Sequence, residues 1–147
     1  MKTLPNDFFF ARVEAEIAEG RPVRFRMKGC SMFPLLREGR DEVVLYPCKK
    51  EELRPMDVVL FRFKGKHILH RIIRRESNHL LLRGDGSYVA REICSVEDVI
   101  GKVREIVKPS GRTLTTDSYQ WRIPGYLWVH SGRLRVFMLK VLSRLIK

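Results

Sequence analysis

The spacing of apolar positions changes twice along the chain. Between Asn6 and Gly20 they recur at helical steps, with Phe8, Phe9, Phe10, Val13 and Ile17 on the apolar side. With Asn6 as N-cap and Gly20 as stop, this predicts a short amphipathic helix over residues 7–18. From Pro22 the period falls to two. "PVRFRM" alternates at Val23, Phe25 and Met27, and "EVVLY", "DVVLFRF", "HILHRII" and "HLLLR" are short runs rich in β-branched, aromatic or leucine side chains. Each ends at Gly, Pro, Asn or charged positions, so each reads as a strand. "DVIGKVREIV" and a "KPSGRT" turn carry the strand-rich part to about residue 116. Helical spacing then returns in Leu134, Phe137, Met138, Val141, Leu142, Leu145 and Ile146. The pattern predicts a mainly β protein with a helix at each end: residues 1–20 helical, 21–116 a β domain, 117–147 a basic amphipathic segment.

Composition narrows the class. At 147 residues the chain is most simply one domain, and 44% apolar residues exclude wholesale disorder. The formal charge of +12 is large and points to an anionic partner, a membrane surface or nucleic acid, although an ordinary basic surface explains it as well. No acidic residue occurs from Ser118 to Lys147, whereas Arg122, Arg133, Arg135, Lys140, Arg144 and Lys147 are basic. A basic helix with one apolar face can lie on an anionic membrane or dock on its own domain. Trp121, Tyr126 and Trp128 are read first as residues that dock this last segment. Three cysteines, Cys30, Cys48 and Cys94, contain no CxxC pair, so neither a disulfide framework nor a zinc knuckle is expected. Cys30 reads as a small core-lining thiol. His67 and His79 flank strands and read as surface positions. No metal and no cofactor are expected. Glu14, Glu16 and Glu19 interrupt any secretion-signal pattern, and no run reaches the roughly 18 apolar residues of a membrane span. The default setting is a reducing cytoplasm, with peripheral contact at the inner membrane face through the C-terminal helix.

Candidate chemistry begins at "GCSMFP". Ser31, between Cys30 and Met32 and before Pro34, follows a strand-like run; alone, such a serine is usually structural. His70 shares the strand face of Ile68 and Ile72, and imidazole is the natural base for a serine hydroxyl, although a histidine on an apolar face is more often a satisfied core residue. Asp85, in "RGDG", can fix a histidine tautomer by accepting its N–H, or can simply be a turn aspartate.

The series "GCSMFP", "DVVLFRF", "HILHRII", "LLLRGDG" and "DVIGKV" resembles, in order and gaps over residues 23–107, the clan of serine peptidases that contains signal peptidases and LexA-like self-cleaving repressors. The resemblance implies a mainly β LexA/signal-peptidase-like catalytic fold with Ser31 as nucleophile. Its bacterial leader peptidases and repressors use a lysine base, which must be desolvated to fall from about 10.4 towards neutrality. The endoplasmic-reticulum and archaeal signal peptidases carry His-Arg there, as this chain does at His70-Arg71. On this reading Ser31 is the nucleophile, His70 the general base, the Ser31 backbone N–H an oxyanion donor, and Gly29, Met32 and Phe33 line the site. Substrate would bind as an added extended strand.

The chain departs from the family in places. Histidine-type members carry further aspartates after the GD turn, where this chain has "GDGSYVAREI" with Ala90 and Arg91; Asp85 and Glu92 therefore compete for the third catalytic role. Gly29 stands where many leader peptidases have a second serine. No Ala-Gly or Cys-Gly dipeptide occurs, which argues against repressor-style self-cleavage. The expected function is a serine endopeptidase acting on a protein or peptide. A non-catalytic peptide-binding descendant of the fold is the alternative. Nucleic-acid binding ranks last, since it rests on net charge and the C-terminal aromatics and no nucleic-acid motif supports it.

Overall fold

The computed structural model describes residues 6–26, 32, 34–37, 40–87 and 90–146, with the side chains of residues 6, 7 and 146 excepted. Helix α1 spans Asn6–Ala18. It is followed by strands β1 (Val23–Arg26), β2 (Glu42–Tyr46), β3 (Val58–Phe63), β4 (Lys66–Glu76), β5 (His79–Arg83), β6 (Glu92–Ser95), β7 (Val99–Val107) and β8 (Thr113–Thr115). Two helices end the chain, α2 (Tyr119–Val129) and α3 (Arg133–Ile146). The strands form one sheet in the order β1-β2-β7-β3-β4-β5-β6, with β8 beside β7. Every pairing is antiparallel. The architecture is therefore mainly β with three helices.

Alternation along the central strands divides the interior in two. On β3, Val58 and Leu60 join a core with α1 residues Val13 and Ile17, together with Met32, Leu36, Leu45, Val103 and Ile106. Val59 and Phe61 face the other way, into a core of Leu53, Ile72, Leu80, Leu82, Cys94 and Val96. Because both faces are covered, β3 reads as a nearly continuous apolar run, not as a half-buried strand. The register pairs Val58 with Arg71, Val59 with His70, Leu60 with Leu69 and Phe61 with Ile68, so residues opposite each other share a side. His70 thus lies on the β5–β6 side and Arg71 on the opposite side, although they are neighbours in sequence.

Arg71 ties the C-terminal helices to the sheet. Its side chain is 1% exposed, and its Nε and Nη2 donate to the two Asp85 carboxylate oxygens at 2.9 and 2.8 Å. Nη1 donates to the Met56 carbonyl at 3.1 Å, and the guanidinium lies 5.4 Å from the Trp121 ring centroid. The Asp85 backbone carbonyl accepts from Trp128 Nε1 at 2.9 Å and from Arg135 at 3.3 Å. Arg135 also donates to the Ser87 carbonyl. One turn between β5 and β6 thereby holds α2 through Trp128 and α3 through Arg135.

The C-terminal segment differs from its expected form. One basic amphipathic helix was expected near the end, and the structure adds a second, α2, before it. The two are separated at residues 130–132, where Gly132 adopts a positive φ of 58°, a conformation glycine reaches without steric cost. Trp121 and Trp128 are buried and dock the segment as expected, while Tyr126 is exposed. Arg135, one of the basic residues of this segment, is buried. His67 is also more enclosed than a surface position: its ring stacks on Phe10 at 4.6 Å, and its Nε2 lies 3.3 Å from Glu14.

Two substitutions test this junction. Asp85→Ala strands a buried guanidinium and is expected to cost about 3–5 kcal/mol, whereas the apolar pair Arg71→Met with Asp85→Leu recovers most of the loss. Gly125→Ala should raise helix propensity by about 1 kcal/mol. Its new Cβ would, however, sit 2.9 Å from Arg71 Nη1, an end pinned by Asp85 and Met56. A net destabilisation of about 1–3 kcal/mol is expected in urea unfolding. Stabilisation by Gly125→Ala would show that the guanidinium is not held.

Candidate active site

Sheet register alone brings one acid to His70. Ile72 is opposite Leu82, and Leu82 is opposite Glu92. Leu82 and Ile72 belong to the same core as Val59, which stands opposite His70 on β3, so Glu92 projects to the His70 side of the sheet across β5. There the Glu92 carboxylate bonds His70 Nδ1. Both side chains are largely shielded, at 8% and 12% exposure, and the imidazole lies 6.1 Å from the Phe61 ring. Phe61 and the β5 leucines keep the pair away from bulk water, where a carboxylate–imidazole bond is stronger. Among the described residues Nε2 takes no hydrogen bond. A ring whose Nδ1–H is given to a carboxylate presents Nε2 as its acceptor atom.

Asp85 takes no part in this pair. It was one of the two acids expected to orient the histidine, but the carboxylate is spent on the Arg71 guanidinium, on the other side of the sheet. The physical reason is strand alternation together with the Asp85 pairing: His70 and Arg71 face opposite ways, and Asp85 sits with Arg71. Glu92 holds the position beside the imidazole.

Ser31, Gly29, Cys30 and Phe33 lie outside the described residues. Described residues near them are anchored in the fold. Met32 and Leu36 are each 1% exposed in the α1-side core, and the Leu36 N–H donates to the Met32 carbonyl at 3.0 Å. Met32, expected to wall a site, is buried in this core. Asp41, fully buried, closes the segment: its carboxylate accepts from the Arg37 backbone N–H at 3.0 Å, from Arg40 at 2.8 and 2.9 Å, and from Lys108 at 3.3 Å. Burial opposes the charge on Asp41, but Arg40, the Arg37 N–H and Lys108 together hold its carboxyl below the usual carboxylate range. Sequence reading missed Asp41; the signal was an acid directly before an apolar strand in a chain dominated by basic residues.

Among the described residues, neither Cys48 nor Cys94 offers a thiolate. Burial, reinforced by Asp98 and Glu92, pushes Cys94 up to about 11, and burial likewise raises Cys48, so both stay protonated at neutral pH. A groove of about 420 Å³ lies on the Arg71 side, lined by Arg54, Met56, Trp121, Ile123, Tyr126 and Leu127 among others, and includes neither His70 nor Glu92. Among the described residues no three His, Cys, Asp or Glu side chains gather to hold a metal, and no helix is long and apolar enough to cross a membrane. No family model matches the chain, and no curated protein matches it.

The Asp41 anchor gives a signed pH prediction. A carboxyl held low in the folded state stabilises the protein above about pH 4, and that contribution is lost as pH falls through its depressed value. Asp41→Asn should lower stability at pH 7 by about 1–3 kcal/mol and flatten the acid side of the stability–pH curve. Urea unfolding between pH 3 and 7 measures both. An unchanged acid slope in the variant would assign the acid sensitivity to other groups.

Proposed function

We propose that this chain is a serine endopeptidase of the signal-peptidase/LexA-like clan, built on that clan's β fold and acting on a protein or peptide substrate. The observation that carries the reading is the shielded His70–Glu92 pair, with Nδ1 committed to the carboxylate and Nε2 without a partner among the described residues. That is the arrangement a general base needs if it is to take a proton at Nε2 while a buried acid fixes its tautomer. The ordered resemblance of the five motifs supplies the nucleophile.

In the proposed reaction the Ser31 hydroxyl oxygen attacks the scissile carbonyl as His70 Nε2 removes its proton. The new C–O bond gives a tetrahedral oxyanion, which accepts a hydrogen bond from the Ser31 backbone N–H. Collapse breaks the C–N bond, and the imidazolium returns the proton to the leaving amine. Water, deprotonated by the same imidazole, then hydrolyses the acyl ester and restores Ser31. The Glu92 carboxylate, bonded to Nδ1, offsets the imidazolium charge. Strand β1 ends the sheet and leads within a few residues to Ser31; its edge can receive a substrate segment as an additional strand.

Fluorophosphonate labelling followed by intact-mass analysis tests the proposal. Wild-type protein should gain one adduct, Ser31→Ala none, and His70→Ala should react far more slowly. Glu92→Gln should slow labelling by roughly 10²–10⁴-fold, while the conservative Glu92→Asp retains part of the rate. Absence of an adduct at Ser31 in folded wild-type protein would favour the non-catalytic peptide-binding reading.

A further inference from the structure

Each C-terminal helix has one buried side and one exposed apolar stripe. On α2 the buried stripe is Trp121, Gly125 and Trp128, and on α3 it runs through Arg135 and Leu139. The other stripe of α2 is Tyr119, Ile123, Tyr126 and Leu127, at helical spacing and all exposed. The other stripe of α3 is Leu134, Phe137, Met138, Val141 and Leu145, with Phe137 62% and Leu145 74% exposed. Of the large apolar side chains exposed among the described residues, all but Phe8 and Ile93 lie on these two helices. Such a concentration marks an interaction surface.

Charge selects the occupant. At about 100° per residue, Arg133, Lys140 and Arg144 fall on one line of α3 that borders the exposed apolar stripe and lies away from the buried one. All three are exposed, as is Arg122 on α2. With no acid from Ser118 to Lys147, this surface repels a second copy of itself and any basic protein. An apolar stripe edged by cations, with tyrosines exposed on α2, fits the boundary between acyl chains and anionic headgroups.

We propose that α2 and α3 form a peripheral docking surface for an anionic lipid bilayer, with the Leu134–Leu145 stripe in the acyl boundary and Arg133, Lys140 and Arg144 at the phosphates. Neither helix spans the bilayer. The proposal is independent of the peptidase reading, because it uses neither Ser31 nor the His70–Glu92 pair.

Co-sedimentation of the full chain with vesicles of phosphatidylcholine alone, and of phosphatidylcholine mixed with phosphatidylglycerol, tests it. Strong binding to the mixed vesicles, weak binding to the neutral ones and loss of binding with added salt are expected. Lys140→Gln with Arg144→Gln should weaken partitioning roughly tenfold or more. Phe137→Ser with Leu145→Ser should abolish it, with circular dichroism verifying that each variant remains folded. A control pair with the same charge loss elsewhere, Lys49→Gln with Lys66→Gln, should bind like wild type. Equal binding to neutral vesicles, an equal loss in the control pair or full binding by the serine pair would each overturn the proposal. So would absence of vesicle binding, including the case in which sedimentation velocity shows that the same stripe joins two copies.

Discussion

A guanidinium sealed from water organises this protein. A buried arginine is tolerable only when its charge is matched and its donors are used, and Arg71 meets both conditions through Asp85, the Met56 carbonyl and the Trp121 ring. The pair joins β4 to the turn after β5, and the backbone of that same turn receives Trp128 and Arg135. Four stretches distant in sequence therefore share one electrostatic junction. Directly opposite Arg71 stands Arg83, half-buried, which donates to the Val129 carbonyl at the C-terminal end of α2. Burial and the neighbouring Arg135 and Arg91 lower the Arg83 pKa. The Asp85 carboxylate is bonded to Arg71, while Arg83 and Arg135 donate to backbone carbonyls, one of them at the negative end of α2. Arginine suits this role better than lysine because its planar fork can engage several acceptors at once.

The same strand places the candidate chemistry. Fixing Arg71 on one side of β4 fixes His70 on the other, since adjacent strand residues cannot share a face. The rigidity needed on the Arg71 side is inherited by the imidazole, which then needs only an acid at the matching register on β6. Glu92 meets that need because it stands opposite Leu82, and a shift of one residue in the β5–β6 pairing would turn it away. The proposed base is therefore positioned by sheet register, the least flexible element available.

Much of this was legible in the residues. Alternation in "HILHRII" set His70 with Ile68 and Ile72, and the strand runs gave a mainly β fold because Val, Ile, Phe and Leu clusters bounded by turn residues have few other outcomes. The choice between Asp85 and Glu92 was not legible. It depends on a pairing across β5 whose register no local pattern encodes. Helix α2 was not read from the sequence: Pro124, the sixth of its eleven residues, removes a backbone N–H from the helix interior, and burial of Trp121 and Trp128 against the rest of the fold holds the helix all the same. Arg71 looked like half of a His-Arg motif, and its burial became visible only once α2 was known to cover that side. The anchoring of Met32, Leu36 and Asp41 likewise depends on tertiary contacts with α1 and β7.

The C-terminal helices show where periodicity ceases to inform. A repeat of Leu134, Phe137, Met138, Val141 and Leu145 establishes that α3 has an apolar stripe, but says nothing about what the stripe faces. The usual amphipathic helix turns its apolar side to the core and its polar side to water. Here the junction around Asp85 recruits Arg135 and the Trp128 indole N–H inward, so polar donors occupy the buried side while the longer apolar stripe points out. The inversion follows from the arginine cluster: once Asp85 turns its backbone carbonyl towards the helices, the helix faces that meet it must carry donors. The apolar residues left outside are the consequence of that demand on the inside, and the absence of acids across the segment gives the outward surface a single sign of charge.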